Sequence, residues 1–169
     1  MEMRCHIEPF TETENRVSFA SSCVEMVAKR LQIPYSESYQ RLKAVGLIDA
    51  YLKKLDPLHT QSREYATDEV VSALLRLEKE SDSVYNKRDT ELTMSANETT
   101  VRDIILWNRI GRMIPIIAER LKISIERAFD IFYTSRTCAR LHDESTGLYL
   151  FSDLYIIDDL MMELSAGQE

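Results

Sequence analysis

Val27-Ala28-Lys29-Arg30-Leu31-Gln32-Ile33 stands 90 residues ahead of Ile117-Ala118-Glu119-Arg120-Leu121-Lys122-Ile123, and the correspondence continues at that spacing without a gap. Tyr39 falls on Phe129 and Leu42 on Phe132. Further along, Leu58, Ser62, Tyr65, Asp68 and Leu74 fall on Leu148, Ser152, Tyr155, Asp158 and Leu164. Self-similarity held in register over this length marks a repeated structural unit. It predicts two diverged copies of one small helical unit, residues 16–78 and 101–165, joined by a polar linker, 79–100, with a helical turn at 92–96.

The shared positions specify an all-α or nearly all-α chain. Cys23, Val24, Val27, Ala28 and Leu31 recur at helical spacing, as do Met113, Ile114, Ile117, Ala118 and Leu121, so each copy opens with an amphipathic helix ending near the shared Ile. Ser36 and Ser124 are expected to cap a second helix, 37–45 and 125–134. Gly46 suits the left-handed residue that closes the first of these. A third short helix is expected at 47–55, stopped by Asp56-Pro57, and at 137–142 in the second copy. Short extended pieces follow at 58–61 and 148–151. Ser62 and Ser152 then precede a last amphipathic helix, 65–78 and 155–164, which places Asp68 and Asp158 near its positive end. Units of about 60 residues are marginal alone, so their apolar faces are expected to pack on each other as a pseudo-twofold pair.

The 169 residues are 44% hydrophobic, enough for a real core. The net charge of -7 disfavours sequence-independent attraction to phosphate backbones or anionic membranes. Cys5, Cys23 and Cys138 form no CxxC pair, which suits neither a disulfide framework nor a zinc site and points to a reducing cytoplasm. Residues 1–15 hold four Glu and no apolar signal core, and the apolar runs near 104–106 and 114–118 are interrupted well short of a membrane span. No cofactor or metal site is expected.

Ala44-Val45-Gly46-Leu47-Ile48-Asp49-Ala50-Tyr51-Leu52, followed by Leu58-His59-Thr60-Gln61-Ser62 and Tyr65, resembles an uncharacterised bacterial domain family with a GLIDxYL…LHTQSxEY signature. Ser135-Arg136-Thr137, Gly147-Leu148-Tyr149 and Ser152-Asp153-Leu154-Tyr155-Ile156 look like a second flavour of that family, with Tyr in place of His. The resemblance implies that members are often encoded beside an ADP-ribosyltransferase-like protein, an arrangement that suggests toxin and antitoxin. It carries over no catalytic residue.

His59, Thr60, Gln61 and Ser62 form the densest polar cluster, flanked by Asp56 and Asp68. Such a cluster supports three roles: a general base with an orienting carboxylate, a recognition surface, or a helix start in which Thr60 and Ser62 satisfy backbone groups while His59 bonds a nearby carbonyl. With Tyr65 and Asp68, and with Tyr149, Ser152, Tyr155 and Asp158 of the second copy, these residues are the candidate interaction surface. The helix-turn-helix spacing at 26–45 and 116–134 raises DNA binding as the alternative. Residues 101–142 carry eight Arg or Lys against four acids and 143–169 seven acids and no base, so Arg127, Arg136 and Arg140 are the candidate phosphate contacts. The same asymmetry also fits an intramolecular pairing of the basic and acidic segments. The favoured expectation is a non-enzymatic protein-binding module, an antitoxin-like partner of an ADP-ribosyltransferase-like protein, whose acids near Asp153, Asp158, Asp159 and Glu163 face a cationic cleft. A helix-turn-helix regulator is second and an enzyme using His59 third. Oligomeric state is left open.

Overall fold

The computed structural model describes residues 11–54, 56–81 and 100–166. Leu55, Cys5, His6, the acidic residues before Thr11 and the expected helical turn at 92–96 lie outside the described residues, as does nearly all of the linker. Among the described residues the chain is all-α: α1 (Glu12–Leu31), α2 (Tyr35–Ala44), α3 (Leu47–Lys53), α4 (Arg63–Glu80), α5 (Val101–Leu121), α6 (Ile125–Thr134), α7 (Arg136–His142) and α8 (Asp153–Ala166).

Each boundary has a local cause. Thr11 and Thr100 start α1 and α5 with reciprocal capping boxes to Glu14 and Asp103. Both helices stop at a left-handed residue, Gln32 (φ 53°, ψ 41°) and Lys122 (φ 54°, ψ 46°), and the following Ile33 and Ile123 N–H groups each donate 3.0 Å back to Ala28 and Ala118 carbonyls. These are Schellman-type closures in which the apolar residue after the cap folds back on the helix. Ser124 caps α6 as expected, accepting from the Arg127 N–H. Ser36 does not cap α2. That helix starts at Tyr35 with Pro34 before it, because the proline lacks an N–H and its ring already holds φ at -58°. Pro34, not Ser36, is the residue that stands 90 positions before Ser124. Gly46 is left-handed at φ 77° between α2 and α3.

The expected extended pieces are instead 3-10 turns, Pro57–Thr60 and Leu148–Leu150. Asp56 accepts from the Leu58 N–H and thereby starts the first one. Ser62 and Ser152 each accept from the N–H three residues on, Tyr65 and Tyr155. Because α4 and α8 begin at Arg63 and Asp153, Asp68 and Asp158 sit beyond the first turn, too far along for the helix dipole to govern them. They make ion pairs instead, to Arg30 and to Arg120, again 90 residues apart.

α1 and α5 form the centre of the molecule and run antiparallel, since Ser18 meets Asn108 and Gly111 while Lys29 meets Asp103. Ser18 Oγ donates to Asn108 Oδ1 at 3.1 Å. Gly111 permits the close approach, for a Cβ there would lie 2.7 Å from Ser18 Cβ. α2 meets α6 through aromatic contacts, Tyr39 stacking on Tyr133 with ring centroids 5.3 Å apart and lying tilted to Phe129 at 5.8 Å. One continuous apolar cluster, including Val17, Cys23, Leu42, Leu74, Trp107, Ile114, Phe132 and Ile157, runs through both segments.

Candidate functional site

The His59–Ser62 loop is built for shape before chemistry. His59 Nδ1 lies 2.5 Å from the Asp56 carbonyl, so this nitrogen carries the proton and donates it. Thr60 Oγ1 donates to the Pro57 carbonyl and Ser62 caps α4. Asp56 is committed to the Leu58 N–H and Asp68 to Arg30, so neither carboxylate orients His59. General-base chemistry lacks its second member here.

The loop nevertheless borders a cleft of about 340 Å³ between α1, the 57–60 turn, the start of α4 and α5. His59 and Gln61 line it with Asn15, Ser18 and Asn108; Phe19, Met26, Leu58 and Trp107 supply its apolar lining. The Arg63 guanidinium lies 5.2 Å from the centre of the Trp107 ring, which is only 3% exposed. Of the predicted interaction residues, His59 and Gln61 thus share a cleft. Tyr65 is half exposed on α4 and is not among the residues that line it.

In the second segment the corresponding loop is apolar. Leu150 (74% exposed), Phe151 (47%), Leu154 (54%) and Tyr155 (48%) lie within six residues, and the Phe151 and Tyr155 rings stack at 4.5 Å. Arg109 of α5 fixes this segment from beneath. Its guanidinium donates to Asp153 at 2.6 Å and to the Tyr149 and Phe151 carbonyls. Arg102 lies over the Tyr149 ring. Residues 148–155 therefore present aromatic and aliphatic side chains on a fixed backbone.

The charge asymmetry resolves largely inside the molecule. Arg127 pairs with Asp130, Arg136 with Glu163 and Arg140 with Asp159. The acids expected to face a partner are the same groups: Asp153 holds Arg109 and Arg112, Asp158 holds Arg120, and Glu163 accepts from the Arg136 and Thr137 N–H groups at 2.8 Å each. Burial opposes charge on Glu163, but these donors and the Thr137 hydroxyl hold its carboxyl below the usual range. On α2, Arg41 is buried in a two-pronged pair with Glu78. Lys43 pairs with Asp130.

One cluster gave no sign in the sequence. Glu25 of α1 meets Cys138 and His142 of α7: His142 Nε2 lies 2.7 Å from Glu25 Oε1, and Nδ1 lies 2.8 Å from the Cys138 carbonyl and 3.6 Å from its sulfur. The outline is that of a thiol, imidazole and carboxylate triad, but the protons are wrong for one. Both ring nitrogens face oxygen acceptors, so the ring is an imidazolium. Burial works against that charge, and Glu25 overcomes it to raise the His142 pKa well above its ordinary value. Burial also raises the pKa of the Cys138 thiol, which is fully enclosed. A charged imidazole cannot take the thiol proton, and the cluster is a buried polar tie with Tyr35 stacked on His142 at 3.9 Å. Cys138 and His142 stand at i, i+4 on α7, but nothing local in the sequence ties either to Glu25.

Residues 18–75 match the model of a family described as a protein of unknown function (DUF3791). The match runs from α1 into α4 and includes His59, Gln61 and Arg63 of the cleft. This segment is therefore similar to an uncharacterised domain family, in keeping with the resemblance carried by residues 44–65. No curated protein and no solved structure matches the chain. Among the described residues no helix is long and apolar enough to cross a membrane.

Proposed function

We propose that this protein is a non-enzymatic module that binds another protein through the exposed face at Leu150, Phe151, Leu154 and Tyr155. The stacked Phe151–Tyr155 pair, open to solvent on a backbone held by Arg109, carries the proposal. Aromatic anchors dominate binding energy when a partner desolvates them, and a backbone already fixed costs little further ordering on association. The partner we favour is the ADP-ribosyltransferase-like protein implied by the family resemblance, with this chain acting as its antitoxin-like regulator. Contact with it is apolar, since the acids of α8 are engaged by internal arginines.

We read the chain as a duplicated unit, 16–78 and 101–165, whose copies have diverged. The support is the recurrence of cap, turn and ion-pair geometry at the 90-residue spacing, and direct contact between corresponding positions, Ser18 with Asn108 and Tyr39 with Phe129. Residues at a twofold axis touch their own counterparts. At the loop before the last helix, one copy has become a polar cleft and the other an apolar face.

The test is co-purification of the tagged chain expressed with its chromosomal neighbours, repeated with Phe151→Ser/Tyr155→Ser. A stoichiometric protein partner that survives a salt wash and is lost with the double substitution supports the proposal. Retention by the variant, or DNA retained in place of protein, overturns it. Both side chains are half exposed, so circular dichroism and melting of the variant are expected to match the parent.

A further inference from the structure

We propose that the cleft between α1, α4 and α5 is a binding site for a carboxylate carried on an apolar body. It shares no residue with the docking face and stands or falls separately from it. Three observations converge on this ligand class.

The chain carries a net charge of -7, yet no Asp or Glu lines the cleft; its ionisable lining residues are Arg63 and His59. Among the described residues no carboxylate lies within ion-pair distance of Arg63, whereas Arg30, Arg41, Arg109, Arg120, Arg127 and Arg140 all have one. The Arg63 guanidinium lies instead over the Trp107 ring. A guanidinium that rests over a ring and has no carboxylate partner keeps N–H groups for a planar, two-oxygen acceptor.

The start of α4 adds to the same field. Ser62 Oγ accepts from the Tyr65 N–H, while the Arg63 and Glu64 N–H groups, first and second in an 18-residue helix, make no hydrogen bond among the described residues. These orphan donors and the helix dipole favour an anion beside Arg63.

The remaining lining sets the rest of the ligand. Phe19, Met26, Leu58 and Trp107 give a hydrophobic floor, and Asn15 and Gln61 provide neutral amide edges suited to a peptide-like group. A volume of about 340 Å³ is at the small end for ligand pockets, enough for one apolar side chain and its carboxylate. A single guanidinium matches a monoanion better than a phosphate dianion. The end of a polypeptide with an apolar last residue and a free small carboxylic acid both present this chemistry.

Trp107 is the sole tryptophan of the chain, so its fluorescence reports directly from the cleft, with calorimetry as a second readout. The probes are N-acetyl-leucine, its carboxamide, a leucine-terminated tetrapeptide with free or amidated terminus, and inorganic phosphate, each titrated into the full-length protein. Saturable binding of the free carboxylates, at least about tenfold tighter than the matching amides and weakened at least about tenfold by Arg63→Gln, supports the site. Arg63 is exposed, so the variant retains its fold; Arg63→Lys, which keeps the charge and loses the fork, is expected to recover binding only in part. Tighter binding of the tetrapeptide identifies a polypeptide end as the source, and tighter binding of N-acetyl-leucine a small acid. Equal affinity for acids and amides, phosphate binding as strong as the carboxylates, or no change with Arg63→Gln overturns the assignment.

Discussion

Replacing Arg41 by Met removes one side of a pair that links α2 to α4. The Arg41 and Glu78 side chains are 1% and 2% exposed, and the guanidinium donates from Nε and a terminal nitrogen at 2.8 and 2.7 Å to the two carboxylate oxygens. Methionine fills much of the arginine volume, so little of the cost is a cavity. What remains is the Glu78 carboxylate, enclosed and deprived of two charge-assisted donors. Losing one partner of such a buried pair costs about 3–5 kcal/mol, against a total stability of about 5–15 kcal/mol for a domain. Urea denaturation of Arg41→Met, followed by circular dichroism, should therefore show a midpoint lowered by a large fraction of its starting value with an unchanged slope. Arg41→Met/Glu78→Leu, which removes the stranded charge, should recover most of the loss, because buried ion pairs are often replaceable by apolar groups of similar volume. A loss below about 1 kcal/mol for the single substitution, the size measured for surface pairs, or a double variant no better than the single, would refute the burial of this pair as the source of its importance.

Gly111→Ala places a methyl 2.7 Å from Ser18 Cβ and 3.2 Å from the Glu14 carbonyl at the α1–α5 crossing, and should destabilise by about 1–3 kcal/mol in a melting experiment despite the better helix propensity of alanine. For His142, the raised folded-state pKa means that its contribution to stability is complete below the unfolded value of about 6.5 and is lost as pH rises through the folded value. Melting temperature measured from pH 6 to 9 should accordingly show a decline with pH in the parent that is flattened or reversed in Glu25→Gln; parallel curves would count against the charged pair.

Much of the local structure was legible because it depends on neighbours in sequence. The helix periods, the Ser124, Ser62 and Ser152 caps and the left-handed Gly46 are decided within three or four residues of themselves. The candidate site was legible in part for the same reason: His59 and Gln61 stood out as a polar cluster, and both line the cleft. Arg63 and Trp107 did not stand out as partners, since they lie 44 positions apart and meet only because α4 and α5 both pack on α1. The extended pieces proved to be 3-10 turns because, over three or four residues, a single apolar anchor such as Leu148 cannot distinguish a strand from a turn.

By itself the sequence determined that the chain is helical and where most helices begin and end, because hydrogen bonds to near neighbours and the 3.6-residue apolar period carry that information. It also determined the 90-residue correspondence that recurs in the caps at Gln32 and Lys122 and in the Arg30–Asp68 and Arg120–Asp158 pairs. Tertiary structure alone decided which charges are spent. Arg41 on a polar-looking helix is buried against Glu78, the acids of α8 close on arginines from α5 and α7, Glu25 charges His142 across 117 positions, and Arg63 is left facing an acid-free cleft. The physical reason is that Coulomb energy and desolvation depend on separation and burial in space, which no count of charges along the chain contains.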